Sequence, residues 1–485
     1  MCQTCLETVA STGTVRFCQC GSPQTLAAMA RIEADISRRQ IIGGMAAVLG
    51  MFAGFGLAPR ELRAQTPARP LLLTNLRLFD GQALSLREEV EILVDSGRIA
   101  ALPGVGQGPQ DAERIDCGGR TVIPGLIDSH WHATLAGVSQ IAAMTQDIGF
   151  VHLMSGKQAG DTLMRGFTTV RDVGGPAFGL QAAIDRGVVT GPRIFPSGAI
   201  LSQTSGHGDF RFSNALPMMP SDPADYATRQ GMTALADGAP EVLRRTREQL
   251  MKGASQIKIS AGGGVASQYD PLESLQFTLD EMRAAVDAAS DWGTYVCAHV
   301  YTAPGIRRCI EAGVKSIEHG QLADEDTVRM MADRGIWWSI QPFLADEDSN
   351  TYTDPKAAAA QKAVAEGTVQ AFEWADKHKV NWAFGTDILY GGGESQGRQL
   401  AKLARFMSPL AALHRATGAA GELLALSGGR APYDGRLGVI AEGALADLLV
   451  IDGDTEASLD WLADTANLRL IMKNGRLFKN ELQGG

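Results

Sequence analysis

Positive charge, histidine, cysteine and long apolar runs are all scarce in this chain, and each shortage narrows what it can be. Lys and Arg number 44 against 54 Asp and Glu, giving a formal net charge of −10 and a pI near 5.4. Nucleic acid and anionic membrane surfaces both reward net positive charge, so neither fits as the main partner. Only eight histidines occur in 485 residues, so any grouping of them at meaningful spacing stands out. Of seven cysteines, four fall in the first twenty residues, and Cys117, Cys297 and Cys309 are scattered, which is no disulfide framework. No uncharged run is long enough to be a clear membrane span; Ile41 to Ala58 is 18 residues with five glycines and four alanines, borderline and only mildly apolar. What the chain has in plenty is length and a 45% hydrophobic composition, enough for a large core and more than one structural unit. Its 56 glycines suit a fold with many turns at strand ends.

The first 64 residues read as a leader. Cys2, Cys5, Cys18 and Cys20 form C-x2-C followed by C-x-C, either a small metal or redox site or incidental thiols in an unstructured segment 1–36. Ser37-Arg38-Arg39, the uncharged run and the Arg63-Ala64 ending resemble a twin-arginine (Tat) export signal over 37–64. The segment before the arginine pair is longer than usual, and a retained anchor is the alternative. Export implies a periplasmic or secreted mature protein beginning near Gln65, cytoplasmic before export, with no membrane contact once mature.

Both ends of the mature chain read as strand and turn. "LLLTNLRLFDG", "VEILVDSGRIAAL" and "RIDCGGRTVIPG" lie at the start, "ALADLLVIDGD" and "LRLIMKNGRLF" at the finish. Asp95-Ser96-Gly97 and Asn474-Gly475 mark hairpin turns. Neither end has strands enough for a sheet of its own, which predicts one small β-sandwich from 65–123 and 430–485. Between them, short apolar runs alternate with helical patterns: "FTTVRDVGG", "PRIFPSGAIL", "SQIKISAGGG", "TYVCAHV", "VKSIEHG", "GIWWSIQP" and "VNWAFGTD". In one helix Thr278 and Glu281 form a capping box, Met282, Ala285, Val286 and Ala289 make the apolar stripe, and Gly293 ends it. With the strand in "PGLIDSHWH", eight such units predict an α/β fold, a (β/α)8 TIM barrel over 124–429, with its chemistry at the C-terminal strand ends.

Those strand ends carry a pattern. His130 and His132, two apart, converge on one side of strand one. Lys258 lies in strand four, His299 ends strand five, His319 strand six and Asp387 strand eight. Imidazole and carboxylate suit a divalent ion such as zinc. These six positions in "PGLIDSHWH", "GFTTVRDVGG", "IKISAGGG", "AGVKSIEHG" and "GTD" resemble the metal-dependent amidohydrolase superfamily, in particular its imidazolonepropionase and Xaa-Pro dipeptidase branch. The resemblance runs from about residue 70 to the C-terminus.

That resemblance implies a site. His130, His132 and Asp387 hold the more buried of two ions, most simply Zn2+, and His299 and His319 the more exposed one. Lys258 bridges them as N6-carboxylysine, since an ammonium cannot ligate a cation but its carbamate can. Paired metals acidify a shared water, and Asp387 shuttles its proton to the leaving amine. The implied substrate is a small amide, a dipeptide or an N-acyl amino acid, and family members commonly form homo-oligomers, an octamer among them. The loop "SQTSGHGDF" places His207 where it can polarise a carbonyl, and its surroundings resemble the ochratoxin-hydrolysing amidohydrolases. Tyr301, two after His299, is a candidate catalytic donor to the substrate, and Tyr269 a candidate substrate contact. Arg171 and Asp172 read as a structural pair beside strand two; His152, His378 and His414 as ordinary helix residues; Trp337 and Trp338 as core. The rivals are a single-metal hydrolase of cyclic amides, which needs no bridging lysine, a phosphotriester or lactone hydrolase, and a metal-free scaffold, against which all six ligand positions stand.

Overall fold

The computed structural model describes residues 69–218, 222–265, 267 and 269–482. The cysteine-bearing segment and the export-like segment lie outside the described residues. Everything described belongs to one compact unit, Arg69–Gly485, and among the described residues no helix is long and apolar enough to cross a membrane.

Strands β1 (Leu71–Leu78), β2 (Ile92–Asp95), β3 (Arg98–Ala101) and β4 (Glu113–Pro124) come from the start of this unit. Strands β15 (Leu448–Ile451), β16 (Leu468–Lys473) and β17 (Arg476–Asn480) come from its end, and all seven share one sheet in the order β17-β16-β15-β4-β1-β2-β3. The junction is the antiparallel pairing of β15 with β4, Val450 opposite Val122. Both predicted hairpin turns form. Ser96 and Gly97 have φ of +50° and +78°, and Asn474 and Gly475 have +53° and +70°, the left-handed pair that a tight hairpin between right-twisted strands requires. The sheet also bends back on itself. Ile99 N–H donates to Ala444 O at 2.9 Å and Ala446 N–H to Gly97 O at 2.9 Å, enclosing an apolar core that includes Leu73, Ile92, Val122, Leu448 and Leu470.

The middle of the chain builds two parallel sheets. One holds β5 (Leu126–Trp131), β6 (Phe167–Asp172) and β7 (Arg193–Pro196) in that order. The other runs β14-β13-β12-β11-β10-β8-β9, made of β8 (Ile200–Ser202), β9 (Thr233–Leu235), β10 (Ile257–Ser260), β11 (Val296–Thr302), β12 (Ser316–Leu322), β13 (Trp337–Ile340) and β14 (Trp382–Phe384). Burial of these strands on both faces explains their near-continuous apolar runs. The run "PRIFPSGAIL", which reads as one strand, is broken at Ser197-Gly198 into β7 and β8, Gly198 standing at φ +76°. The short β9 carries no sequence signal of its own; it pairs in parallel with β8. Helix Leu279–Asp291 has the expected capping box and buries Met282, Ala285, Ala288 and Ala289. Val286, expected in that stripe, is half-buried at its edge.

The ends of β14 and β5 meet without a ladder. Asp387 N–H donates to His130 O at 2.8 Å, and Ser129 Oγ donates to Phe384 O at 2.5 Å. Gly385 permits the approach, since a Cβ there would lie 2.5 Å from His130 Cβ. Beneath them the fully buried Asp128 carboxylate accepts from His130 N, Thr386 N, Thr386 Oγ1 and Gln396 Nε2 at 2.6–3.1 Å. Truncating Asp128 orphans four buried donors, each costly to leave unpaired. We expect Asp128→Ala to lose about 3 kcal/mol of stability, read by chemical denaturation; an unchanged denaturation midpoint would contradict this account of the junction.

Candidate active site

Register explains how distant residues arrive at one place. Ser260 of β10 pairs with His299 of β11, His299 with Glu318 of β12, and Val300 with His319. Strand alternation would send Glu318 and His319 to opposite faces. The backbone of His319 escapes this by taking φ +74°, and Asp387 takes φ +55°. Non-glycine residues held in this region cost energy and cluster at functional sites. Both Glu318 and His319 therefore face His130, Glu318 at 2.8 Å and His319 with its ring centroid at 4.8 Å.

The six predicted residues gather. His130, His319 and Asp387 each offer one ligand atom, all within 4.8 Å of one another. Asp387 Oδ1 lies 3.1 Å from His130 Nε2 and 3.2 Å from His132 Nε2. His299 packs edge-on to His319 with centroids 4.5 Å apart. Lys258 is buried, with Asp387, Glu318 and Arg171 near enough to act on its charge. The tightest grouping cuts across the expected division of ligands, joining His319 to His130 and Asp387.

The proton inventory fits a cation. His132 Nδ1 faces the Gly174 carbonyl at 3.0 Å and its Nε2 faces Asp387, and both partners only accept. Burial pulls His132 below its ordinary value and pulls His299 and His319 far below it, so these rings are neutral at pH 7 and carry one proton each. His132 therefore points a bare lone pair at one of two acceptors. His299 donates its Nε2–H to Gly263 O at 3.2 Å, which leaves Nδ1 bare. Among the described residues His319 Nδ1 is buried with no hydrogen-bond partner, and His130 Nε2 faces the Asp387 carboxylate at 3.1 Å. Burial alone would raise the Asp387 carboxyl, but His130 and His132 outweigh it and hold it well below the usual carboxylate range. The neutral imidazoles of His132, His299 and His319 beside an ionised carboxylate suit zinc, manganese or cobalt. The nearby Cys297 thiol, pushed up to about 12 by burial, supplies no thiolate.

Lys258 makes no hydrogen bond or ion pair with any described residue, and burial lowers its ammonium below the ordinary range. His207 stacks face to face on His299, centroids 3.8 Å apart, with Nδ1 2.6 Å from Ser267 Oγ and its backbone N–H on Gln276 Oε1. Tyr301 is buried, stacked on His319 at 4.8 Å, and its hydroxyl has no partner among the described residues. Burial first, and then Asp387, push it well above the ordinary tyrosine value, so it stays a proton donor. Tyr269 sits farther out, exposed, its hydroxyl accepting from Ser213 N–H at 3.1 Å and tying two mouth loops together.

One pairing is corrected. Arg171 does not pair with Asp172: neighbours on a strand point to opposite faces, so Arg171 reaches inward to Glu318 while Asp172 accepts from Ala133 N–H at 2.7 Å. Burial pushes Asp172 up to about 8. Glu318, adjacent to a ligand candidate in "SIEHG", went unread as a site residue because alternation hides it. His152 lies in helix Ile148–Met164, His378 binds Glu325 at 2.8 Å and His414 faces Gly81 O at 2.9 Å, all away from the site. Trp337 and Trp338 are core, and Trp338 Nε1 also donates to His319 O at 2.5 Å.

Residues 121–478 match the amidohydrolase family, and the chain belongs to it. Members of that superfamily generally use divalent metals, and the ochratoxinase, prolidase and imidazolonepropionase homologues of this chain indicate a hydrolase acting on carbon–nitrogen bonds. Ochratoxinase of Aspergillus niger is 33% identical over 328 residues, 66% of this chain and 67% of that protein. A crystal structure of another amidohydrolase superposes with a TM-score of 0.78 at 37% identity, covering 85% of this chain and all of that one. A prolidase complexed with N-methylphosphonate-L-proline gives 0.77 at 34%, covering 85% and 100%. This chain is thus a hydrolase of the amidohydrolase family, related to ochratoxinase and to prolidase-like enzymes.

The neutral histidines set a pH dependence. Their folded pKa values lie below that of an unfolded histidine, about 6.5, so the unfolded chain takes up protons first as pH falls. Their contribution is fully present above that value and is lost progressively below it. Asp172, raised to about 8, works in the opposite sense and loses its contribution as pH rises toward that value, but three histidines outnumber it, so chelator-treated protein should show a melting temperature that falls as pH drops from 6.5 to 5. A profile rising over that acid range would show that the rings are charged in the fold.

Proposed function

We propose that this protein is a binuclear metal-dependent amidohydrolase that cuts the amide bond of a dipeptide or an N-acyl amino acid. The observation that carries the reading is Lys258, a buried amine with no ion pair among the described residues, beside five metal-ligand candidates. A neutral amine is the form that adds CO2, and the carbamate so formed is an anionic bridging ligand. His130, His132 and Asp387 would hold one ion, His299 and His319 the other, and Lys258 as N6-carboxylysine both. Such ions, Zn2+ in the simplest case, would supply Lewis-acid polarisation of the scissile carbonyl and an acidified water. Asp387 accepts the attacking water's proton and returns it to the departing amine nitrogen. Tyr301 and His207 donate to the carbonyl oxygen as charge builds there, and Tyr269 lines the outer approach. The names of the relatives support the amide class: one is an ochratoxinase, and the prolidase neighbour holds a phosphonate joined to proline. An aromatic acyl amide of the ochratoxin kind belongs to the same proposal.

The close grouping of His130, His319 and Asp387 favours a second reading, one ion and a cyclic amide. Metal analysis separates the two. Wild type expressed with bicarbonate should hold about two ions per chain and Lys258→Ala markedly fewer; one ion in both would sink the binuclear mechanism. Tyr301→Phe should keep its metal and lose about 10²-fold in kcat on the best amide found, and an unchanged kcat would remove Tyr301 from the chemistry.

The architecture is read in the same way. We propose that the two parallel sheets close into the (β/α)8 barrel over 124–429, supported by the contact of β14 with β5, and that the seven-stranded sheet folds over as the sandwich from 65–123 and 430–485. Segment 37–64 is proposed as a twin-arginine export signal after leader 1–36, leading to a periplasmic or secreted homo-oligomer. Replacing Arg38 and Arg39 together by Lys should retain the protein in the cytoplasm; continued export would exclude that route.

A further inference from the structure

Directly beneath the ligand cluster lies an ion pair that the reaction outlined above does not use. Arg171 and Glu318 are both completely buried. Arg171 Nη2 meets Glu318 Oε1 and Oε2 at 2.7 Å each, its Nε donates to Ser129 O at 2.5 Å, and its Nη1 reaches Tyr295 Oη at 3.1 Å and Ser316 Oγ at 3.3 Å. Ser316 Oγ donates to Glu318 Oε1 at 2.7 Å. Arg171 spans both oxygens, and Oε2 also faces His130 Nδ1 at 2.8 Å, nearer to that nitrogen than Gln341 Nε2 at 3.3 Å. The far side of that imidazole, Nε2, faces Asp387 Oδ1 at 3.1 Å.

We propose that Arg171 and Glu318 form a positioning pair that fixes the proton of His130 on Nδ1 and so aims its Nε2 lone pair at the metal site. The carboxylate accepts from Nδ1–H, which sets both tautomer and ring direction and makes the opposite nitrogen a better electron donor. Arg171 makes the carboxylate rigid: anchored to the Ser129 carbonyl, it ties Glu318 to β5, the strand that carries His130 itself. The inference rests on the metal-site reading but concerns a separate interaction. A buried ion pair is weak evidence for stability in itself, since an apolar replacement is often neutral or better. The geometry gives this one another use, because the oxygen that Arg171 shares with His130 meets a ligand candidate as well as a structural group.

Zn2+ affinity, measured by competition with a chromophoric chelator, tests it on the full chain. Glu318→Gln should bind Zn2+ about 10–100-fold more weakly and should also melt earlier, because Arg171 loses its counter-charge. The double variant Arg171→Met/Glu318→Gln removes the stranded charge; we expect it to recover thermal stability but not affinity. A double variant that binds Zn2+ as tightly as wild type would overturn the proposal and leave the pair structural. Should that variant not fold, histidine-15N NMR of Zn2+-loaded wild type decides: a slowly exchanging proton on His130 Nδ1 supports the pair's role, and Nδ1 as the liganding nitrogen refutes it. Wild type that binds no Zn2+, manganese or cobalt fails the metal reading instead, which these variants do not address.

Discussion

Asp387 Oδ1 stands 3.1 Å from one imidazole nitrogen and 3.2 Å from another, and both rings turn their remaining nitrogen toward a group that only accepts, Glu318 for His130 and the Gly174 carbonyl for His132. His132, neutral, has one proton for its two acceptors. In water such an arrangement would relax by picking up protons; buried, a neutral ring such as His132 cannot do so cheaply. The rest of the structure follows from keeping lone pairs together that would otherwise repel. A cation resolves the conflict at one point, which is why the same geometry reads as instability without metal and as affinity with it.

Holding that arrangement requires a stiff frame, and the frame is made of strand ends rather than loops. Asp128 binds the last residues of β5 to Thr386 and Gln396, Gly385 lets β14 approach β5 to van der Waals contact, and Trp338 fixes the carbonyl of His319. The left-handed backbone at His319 and Asp387 is the cost of pointing two ligands inward where alternation would have pointed them out. Each device is buried and local, and each acts on backbone position before it acts on chemistry.

The difference between what was legible in the sequence and what was not follows the same line. Ligand candidates were visible because histidine is rare here and because period-two spacing and strand-end placement are one-dimensional signals. The hairpin turns were visible for the same reason: Ser96-Gly97 and Asn474-Gly475 carry their geometry in two residues. Glu318 was not, because its role depends on a positive φ next door that no residue type announces. The mistaken pairing of Arg171 with Asp172 came from treating adjacency as contact, which strand alternation forbids. β9, three residues at a sheet edge, has no pattern long enough to register, and the break between β7 and β8 shows only as one glycine within an apolar run.

The division of labour between strands and loops also bears on what this enzyme can vary. Ligand candidates His130, Lys258, His299 and His319 lie on β5, β10, β11 and β12, His132 directly follows β5, and Asp387 lies three residues past the end of β14, all held by the frame. His207 and Tyr269 lie on the loops after β8 and β10, joined to each other's loops through Ser267 and Ser213. Changes in these loops leave the proton inventory at Asp387 untouched, since neither His207 nor Tyr269 contacts that carboxylate. The stacking of His207 on His299 and the hydrogen bond from His299 Nε2 to Gly263 O link the two layers. A substitution in the loops should therefore shift which amide is bound, whereas one in the frame should change whether any is cut. His207 stands at the seam, part of the approach by its loop and part of the ligand cluster by its ring, so it is the residue through which selectivity and rate are expected to be coupled.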